Sequence, residues 1–348
     1  MPRLRRSDPS RPGIARRRNG RGFVYLDASG GRISDGESVA RIRALAIPPA
    51  WTDVWICEDP LGHLQAIGTD AAGRRQYRYH DQWRLRRDQQ KFDRMLEFAR
   101  ALPGLREVTT EHLAEGGMTR NRVLACATRL LDRGFFRIGT EAYAEENKTY
   151  GLATMRNSHV TLGPDGLVMF EYPAKGSKEA EQFVVDPAVH EVIATLKRRR
   201  GDPDLLAYKA GNRWHDIRSD DINDYIKEVA GEEYSAKDFR TWHGTVKAAV
   251  ALAVAAPASR SKTAAKRAMA WAVKDVAQYL GNTPAVCRAS YIDPRVFDRY
   301  RSGWTVAGVL DELGTDDDRH PEVQGAIEAA VVDLIRGDTS SDSLERAA

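Results

Sequence analysis

Residues 145–185 read EENKTYGLATMRNSHVTLGPDGLVMFEYPAKGSKEAEQFVV, and they decide the fold class of the chain around them. Segments of alternating apolar and polar residues are separated by a Gly-Pro-Asp-Gly turn at Gly163–Gly166 and a second turn at Ala-Lys-Gly-Ser-Lys. Alternation marks a half-buried strand, and Gly, Pro and Asp punctuate it. The stretch is expected to form a three-stranded antiparallel meander. The text on either side has helical spacing instead. Upstream lies "MTRNRVLACATRLLDRGFF". Downstream come "PAVHEVIATLKRR", Ser219–Gly231, "TVKAAVALAVAA", "SKTAAKRAMAWAVKDVAQYLGN" and "PEVQGAIEAAVVDLIRG".

Before residue 100 the pattern changes. "RGFVYLDASGGRIS" reads as strand, turn and return strand. "DVWICEDPLGHLQAIGTDAAGRRQYRYH" repeats the motif with three strands. "DGESVARIRAL" adds a short helix, and "DQWRLRRDQQKFDRMLEFARAL" a longer one. "PGLREVTTEHLAEGG" then suggests a boundary near residue 100. The expected class is α+β, with a small antiparallel β-sheet domain over 23–100. A larger, mainly α-helical domain over 101–310 carries the meander. Residues 1–22 hold eight arginines and read as a basic flexible arm. Residues 311–348 read as an acidic helix and a mobile tail.

Charge sharpens this division. From Asp311 onward there are eleven acidic and three basic residues, so the rest of the chain carries +12 against a total of +4. A basic body with an acidic tail fits a polyanionic partner, nucleic acid first. No apolar run approaches the ~18–20 residues of a membrane span. The Arg-rich N-terminus lacks the apolar core of a secretory signal. Three cysteines, Cys57, Cys126 and Cys287, lie far apart, which points to a reducing, cytoplasmic setting rather than a disulfide framework. There is no P-loop, no HExxH, no paired-Cys motif and no carboxylate cluster. The chemistry is expected to use no cofactor and no metal.

Five segments could carry chemistry, and each has an ordinary structural reading. Arg137 in "FFRIGTEAY" could be a salt-bridged arginine at a helix end. Lys175 and Lys178 in "YPAKGSK" could be exposed turn lysines. "SAKDFRTWHGT", which holds Lys237 and Arg240, could be a helix start capped by Ser235 with Arg240 on its solvent face. Asn282 in "GNTP" could be simple turn chemistry. Tyr291, nine residues on, could be a part-buried aromatic with a bonded hydroxyl.

Their order says more than any one of them. Arg, hairpin Lys, Lys-x-x-Arg, then Gly-Asn-Thr-Pro and Tyr resembles the type IB DNA topoisomerase family, in its small poxvirus-like and bacterial branch. "RIGTEAYAEENKTYGLATMRNSHV", "FEYPAKGSKEAEQFVV", "LGNTPAVCRASYIDP" and "GRRQYRYH" each resemble segments of that branch, over about residues 20–300. The resemblance implies two domains clamped around duplex DNA, with 101–310 as the catalytic domain. It implies Tyr291 as nucleophile and Arg137 and Arg240 on the scissile phosphate. Lys175 would be the general acid, Asn282 a phosphate donor and Lys237 an accessory group. Arg75, Gln76, Tyr77, Tyr79 and Tyr143 would contact DNA. The implied activity is metal- and ATP-independent relaxation through a transient 3′-phosphotyrosine, by a monomer. Two departures stand out. Many family members have His at the position of Asn282, and an Asn donor neither titrates nor carries charge. The hairpin reads Ala-Lys-Gly, which leaves Lys178 as an alternative to Lys175.

The residue types suit that reaction. A five-coordinate phosphorane gathers charge on its non-bridging oxygens, and two guanidinium forks match it. The leaving alkoxide needs a proton, and a lysine whose pKa falls beside other cations can give one. A tyrosine recombinase would use a similar set, but usually with His-x-x-Arg and without the sheet domain. A DNA-binding protein without chemistry would use the same cations only to grip phosphate.

Overall fold

A computed structural model of the chain describes residues 3–175, 178–201, 203–258, 261–313 and 321–346. It divides into two compact units, Met1–Asp93 and Arg94–Ala348.

In the first unit, alternate apolar residues turn to one face of a sheet. Its strands are β1 (Ile14–Asn19), β2 (Gly22–Leu26), β3 (Thr52–Ile56), β4 (Leu64–Thr69) and β5 (Arg75–Tyr79), antiparallel in the order β2-β1-β3-β4-β5. Helix α1 (Gly36–Ala44), capped by the Asp35 carboxylate, closes that face. Ile14, Ile42, Val54, Ile56 and Ala66 form the buried core. Strand β1 lies within the segment read from sequence as a flexible arm. Its run of arginines hides the alternation. Arg16 donates to the carbonyls of Trp51 (2.6 Å) and Pro48 (3.0 Å) and stacks on Phe23. An arginine stem can cover apolar surface while its head stays bonded.

Helix α2 (Asp81–Leu113) runs through Pro103, past the boundary expected near residue 100. An interior proline costs about 3 kcal/mol. Burial of Leu102 and Leu105 is worth about 1.5–3 kcal/mol each, enough to offset it. Packing therefore outweighs the local signal.

The second unit is mainly helical. It contains α3 (Arg120–Gly134), α4 (Glu141–Asn147), α5 (Pro187–Lys197), α6 (Ser219–Ala230), α7 (Ala236–Ala255), α8 (Lys262–Tyr279), α9 (Pro284–Ser290), α10 (Pro294–Arg301), α11 (Ala307–Leu313) and α12 (Pro321–Arg336). The meander is present as β6 (Val160–Leu162), β7 (Leu167–Ala174) and β8 (Lys178–Val185), in that order and antiparallel. A hairpin of β9 (Ala207–Ala210) and β10 (Arg213–Asp216) has too short an alternation to stand out in sequence.

The tail also differs from expectation. Strand β12 (Glu345–Arg346) pairs with β11 (Trp304–Thr305), and Leu344 is buried. One apolar side chain and two paired residues are enough to dock a polar segment. Residues 314–320, which hold part of the acidic run, lie outside the described residues. Among the described residues no helix is long and apolar enough to cross a membrane.

Candidate active site

The site begins at the end of α3. Its apolar stripe buries Val123, Leu124, Ala127, Leu130 and Leu131, and the Thr119 hydroxyl accepts from Arg122 N at its start. At its end, a Cβ on Gly134 would lie 2.1 Å from the Phe136 ring. Phe135 follows with φ +57°, a left-handed conformation rare for a bulky side chain. This turn brings Arg137 into the site. The chain beyond it is pinned by bonds from Leu152 N to Arg137 O (2.8 Å) and from Ala153 N to Ile138 O (2.7 Å). Gly139 and Gly151 permit that approach, since a Cβ on either would fall within 2.8 Å of the other's backbone.

Helix α7 supplies Arg240, only 5% exposed. Its Nη1 donates to Phe135 O and its Nη2 to Leu280 O, both at 2.7 Å. Its guanidinium carbon lies 5.3 Å from the centre of the Tyr291 ring. Burial pulls its pKa down to about 10 and the Arg137 charge adds to this, while Tyr291 and Tyr172 work the other way.

The carbonyls that receive the arginines come from the end of α8. Gly281, at φ +60°, takes the left-handed position. Asn282 N donates to Ala277 O (2.9 Å) and Gly281 N to Gln278 O (3.2 Å), the pair of bonds of a Schellman cap. That leaves Leu280 O and Gly281 O directed at guanidinium groups. Arg137 Nη2 donates to Gly281 O (3.0 Å), to Leu280 O (3.4 Å) and to Asn282 Oδ1. Turn chemistry and a polar role therefore coexist at Asn282. Among the described residues, two of the buried donors without a hydrogen-bond partner lie here, Arg240 Nε and Asn282 Nδ2.

Tyr291 is half-buried at the C-terminus of α9, and its N–H donates to Cys287 O (2.9 Å). Helix α7 holds its backbone from the other side. A Cβ on Gly244 would lie 2.7 Å from Tyr291 O, so only glycine lets the two segments approach. Thr245 Oγ1 donates to Thr241 O (2.9 Å) and accepts from Asp293 N (3.1 Å). The same stretch of helix thus sets both Arg240 and the tyrosine segment.

Two adjoining cavities collect the residues singled out in sequence. One, of about 290 Å³, is lined by Arg137, Tyr143, Lys175, Lys237, Arg240 and Tyr291 among others. The second, of about 400 Å³, shares Arg137, Lys175 and Arg240 and adds Tyr172, Gln182 and Asn282. Lys175 and Lys237 are exposed at the rim. The Lys175 ammonium lies 5.6 Å from the Tyr143 ring centre. Gly176, Ser177 and the Lys178 side chain, the alternative acid, lie outside the described residues.

The remaining DNA-contact candidates lie in the first unit, on β5. Tyr77 is 49% exposed and its ring stacks with that of Tyr79 at 6.2 Å, so the two share a face. Arg75 is exposed. Gln76 Nε2 donates to Asp70 Oδ2 (2.9 Å). Hydrogen bonds from Arg74, first its backbone N–H, help hold the Asp70 carboxyl down at about 2.

Sequence reasoning missed the support beneath the site. Arg106 from α2 donates in bidentate fashion to Asp132 (2.8 and 2.9 Å) and to Glu328 of α12 (2.7 and 2.8 Å). His243 Nε2 stands 3.2 Å from Asp132 Oδ1, and its ring meets Phe135 edge-on. Burial opposes the Asp132 charge, but His243 and Arg106 hold its carboxyl well below the usual range. Asp132 in "RLLDRG" offered one signal, a carboxylate one position from an apolar pair. Its partners, Arg106 and His243, come from two other helices, which spacing cannot reveal.

Residues 80–330 match the family model described as eukaryotic DNA topoisomerase I, catalytic core. Residues 22–70 match the one described as bacterial DNA topoisomerase IB, N-terminal domain. The chain is 30% identical over 297 residues to DNA topoisomerase 1B of Acanthamoeba polyphaga mimivirus, which covers 83% of this chain and 88% of the relative. It is 23% identical over 273 residues to DNA topoisomerase 1B of vaccinia virus (strain Copenhagen), covering 76% and 82%. A shorter match, 24% over 160 residues, is to DNA topoisomerase 1 beta of Arabidopsis thaliana and spans 16% of that relative.

Proposed function

The chain belongs to the type IB DNA topoisomerase family, and from that premise we propose that Tyr291 is its nucleophile, served by Arg137, Arg240, Asn282, Lys175 and Lys237. The protein is an isomerase that relaxes supercoiled DNA. In the proposed step the Tyr291 oxygen attacks a backbone phosphorus. The tyrosine–phosphorus bond forms as the bond from phosphorus to the 5′-oxygen breaks. The phenolic proton passes to solvent, and Lys175 protonates the departing 5′-oxygen. Reversal of the step reseals the strand, so no external energy is consumed.

The observation that carries this reading is the pair of unpartnered buried donors, Arg240 Nε and Asn282 Nδ2, beside Tyr291. A buried donor without an acceptor is costly, and phosphate oxygens would satisfy both. Arg137 fixes the Asn282 amide by occupying its Oδ1, which leaves Nδ2 as the donor. An uncharged side chain can thus fill a place where many family members have His. Lys237 reaches the same cavity one helical turn before Arg240. Arg75, Gln76, Tyr77 and Tyr79 on β5, with Tyr143, are proposed to grip the duplex. The chain is proposed to act as a monomer, in the cytoplasm.

The test is denaturant trapping on a suicide duplex, followed by mapping of the peptide attached to the DNA 3′ end. The expected peptide contains Tyr291, and Tyr291→Phe should bind the duplex without forming an adduct. An adduct in that variant would overturn the assignment. Plasmids of either supercoil sign should relax in EDTA without ATP, and strict dependence on magnesium or ATP would overturn the mechanism.

A further inference from the structure

We propose that Gln182, held by Tyr172, is a positioning residue for Lys175, tying the lysine hairpin to the backbone turn that carries Arg137 and receives Arg240. The proposal rests on Lys175 being the general acid. The Tyr172 hydroxyl donates to Gln182 Oε1 (2.8 Å), and Gln182 Nε2 donates to Gly134 O (2.8 Å). Gly134 is the last residue of α3, and its carbonyl is one that a helix end leaves without a partner. The next carbonyl, that of Phe135, accepts from Arg240, and Arg137 follows two residues later. One short turn therefore sets three groups around a phosphate site. Phe136 packs its ring against Phe170 and Tyr172 of the hairpin, and Gln182 adds the directional hydrogen bond between hairpin and turn.

The register shows why this tie matters to the tip. Phe170 pairs with Gln182 and Tyr172 with Ala180, so the Tyr172–Gln182 bond crosses the hairpin diagonally. Below it the strands are anchored by buried Val168, Phe170 and Val184. Above it Glu179 and Lys175 are exposed. On that side the hairpin has a backbone bond from Tyr150 N to Pro173 O (2.8 Å). Lys175 lies three residues past Tyr172, a lever of roughly 10 Å at strand rise. A small rotation at its base displaces the ammonium by an ångström or more. Proton transfer needs heavy atoms within about 3.2 Å, and a misplacement of about 1 Å can cost on the order of 10²-fold.

Tyr172 suits the task because it keeps its proton. It is 3% exposed, and burial raises its pKa to about 12, opposed in part by Arg240 and Arg137. It therefore stays a donor at neutral pH and fixes which end of the Gln182 amide faces Gly134.

The test compares single-turnover cleavage of two suicide duplexes. One carries the ordinary 5′-oxygen at the scissile phosphate and the other a bridging 5′-sulfur. A thiolate leaves without a proton, so loss of a general acid is silent on the second. Lys175→Ala should be slow on oxygen and close to wild type on sulfur. If sulfur does not rescue it, the general-acid reading fails and this proposal fails with it. Gln182→Met should slow oxygen cleavage about tenfold and Tyr172→Phe about threefold. Both should match wild type on sulfur and in DNA binding. Equal losses on both substrates, with Lys175→Ala rescued, would make Gln182 a purely structural residue and overturn this proposal alone. Wild-type rates of Tyr172→Phe on oxygen would overturn it too. Should Gln182→Met fail to fold, the Tyr172→Phe comparison decides.

Discussion

The two sides of the candidate site are built differently. On one side Arg240 is 5% exposed, held by two backbone carbonyls and packed against a tyrosine segment that only glycine can approach. On the other, Lys175 is exposed at a hairpin tip, and a glutamine side chain hydrogen-bonds that hairpin to the turn at the end of α3. The contrast follows the chemistry. Charge that develops on phosphate oxygens is best met by donors already in place, because reorganisation then costs nothing during the reaction. On the proposed assignment of Lys175, the proton donor has to enter a groove occupied by DNA, and an arm suits that task.

The fixed side should be the less forgiving one. Arg240→Lys keeps a positive charge but loses the fork that spans Phe135 O and Leu280 O. Its single-turnover cleavage is expected to fall about 10²–10³-fold with DNA binding retained. A rate near wild type would break the comparison. Next comes the buried support. Asp132→Asn removes the carboxylate shared by Arg106 and His243, and denaturant unfolding at neutral pH should show a loss of about 3–5 kcal/mol. The sign with pH follows from the depressed Asp132 pKa. Its stabilisation is present above the ordinary carboxylate value of about 4 and is lost as pH falls below it. Acidification through that window should therefore weaken the wild type more steeply than the variant, and parallel stability curves would remove Asp132 from the account. The smallest of these three effects is expected at Asn282. Loss of one donor to a charged oxygen in Asn282→Ala should slow cleavage about ten- to hundredfold with binding unchanged. Unaltered cleavage would place Asn282 outside the phosphate site.

Much of this was legible in the sequence, where local periodicity and order carry the information. The meander, the α3 and α8 helices and the succession Arg137, Lys175, Lys237, Arg240, Tyr291 are all patterns within one segment or along the chain. The parts that were not legible depend on contacts between distant segments. Strand β1 was hidden because arginine reads as solvated whether or not its head finds carbonyls. Pro103 reads as a stop unless the burial of its neighbours is known. The left-handed Phe135 violates local preference, and strain of this kind collects at functional sites. The docking of Leu344 and β12 came from partners some forty residues upstream.

The contact between Arg106 and Glu328 also bears on how the protein is made. Arg106 and Asp132 emerge early from the ribosome, but Glu328 is 222 residues beyond Arg106. Until α12 has been synthesised, Arg106 has only one of its two carboxylates, and the packing behind Phe135 and Arg240 is incomplete. A nascent chain thus lacks part of the frame that holds Arg240. Competence to cut DNA is expected to arrive late in translation, after the tyrosine segment itself has emerged.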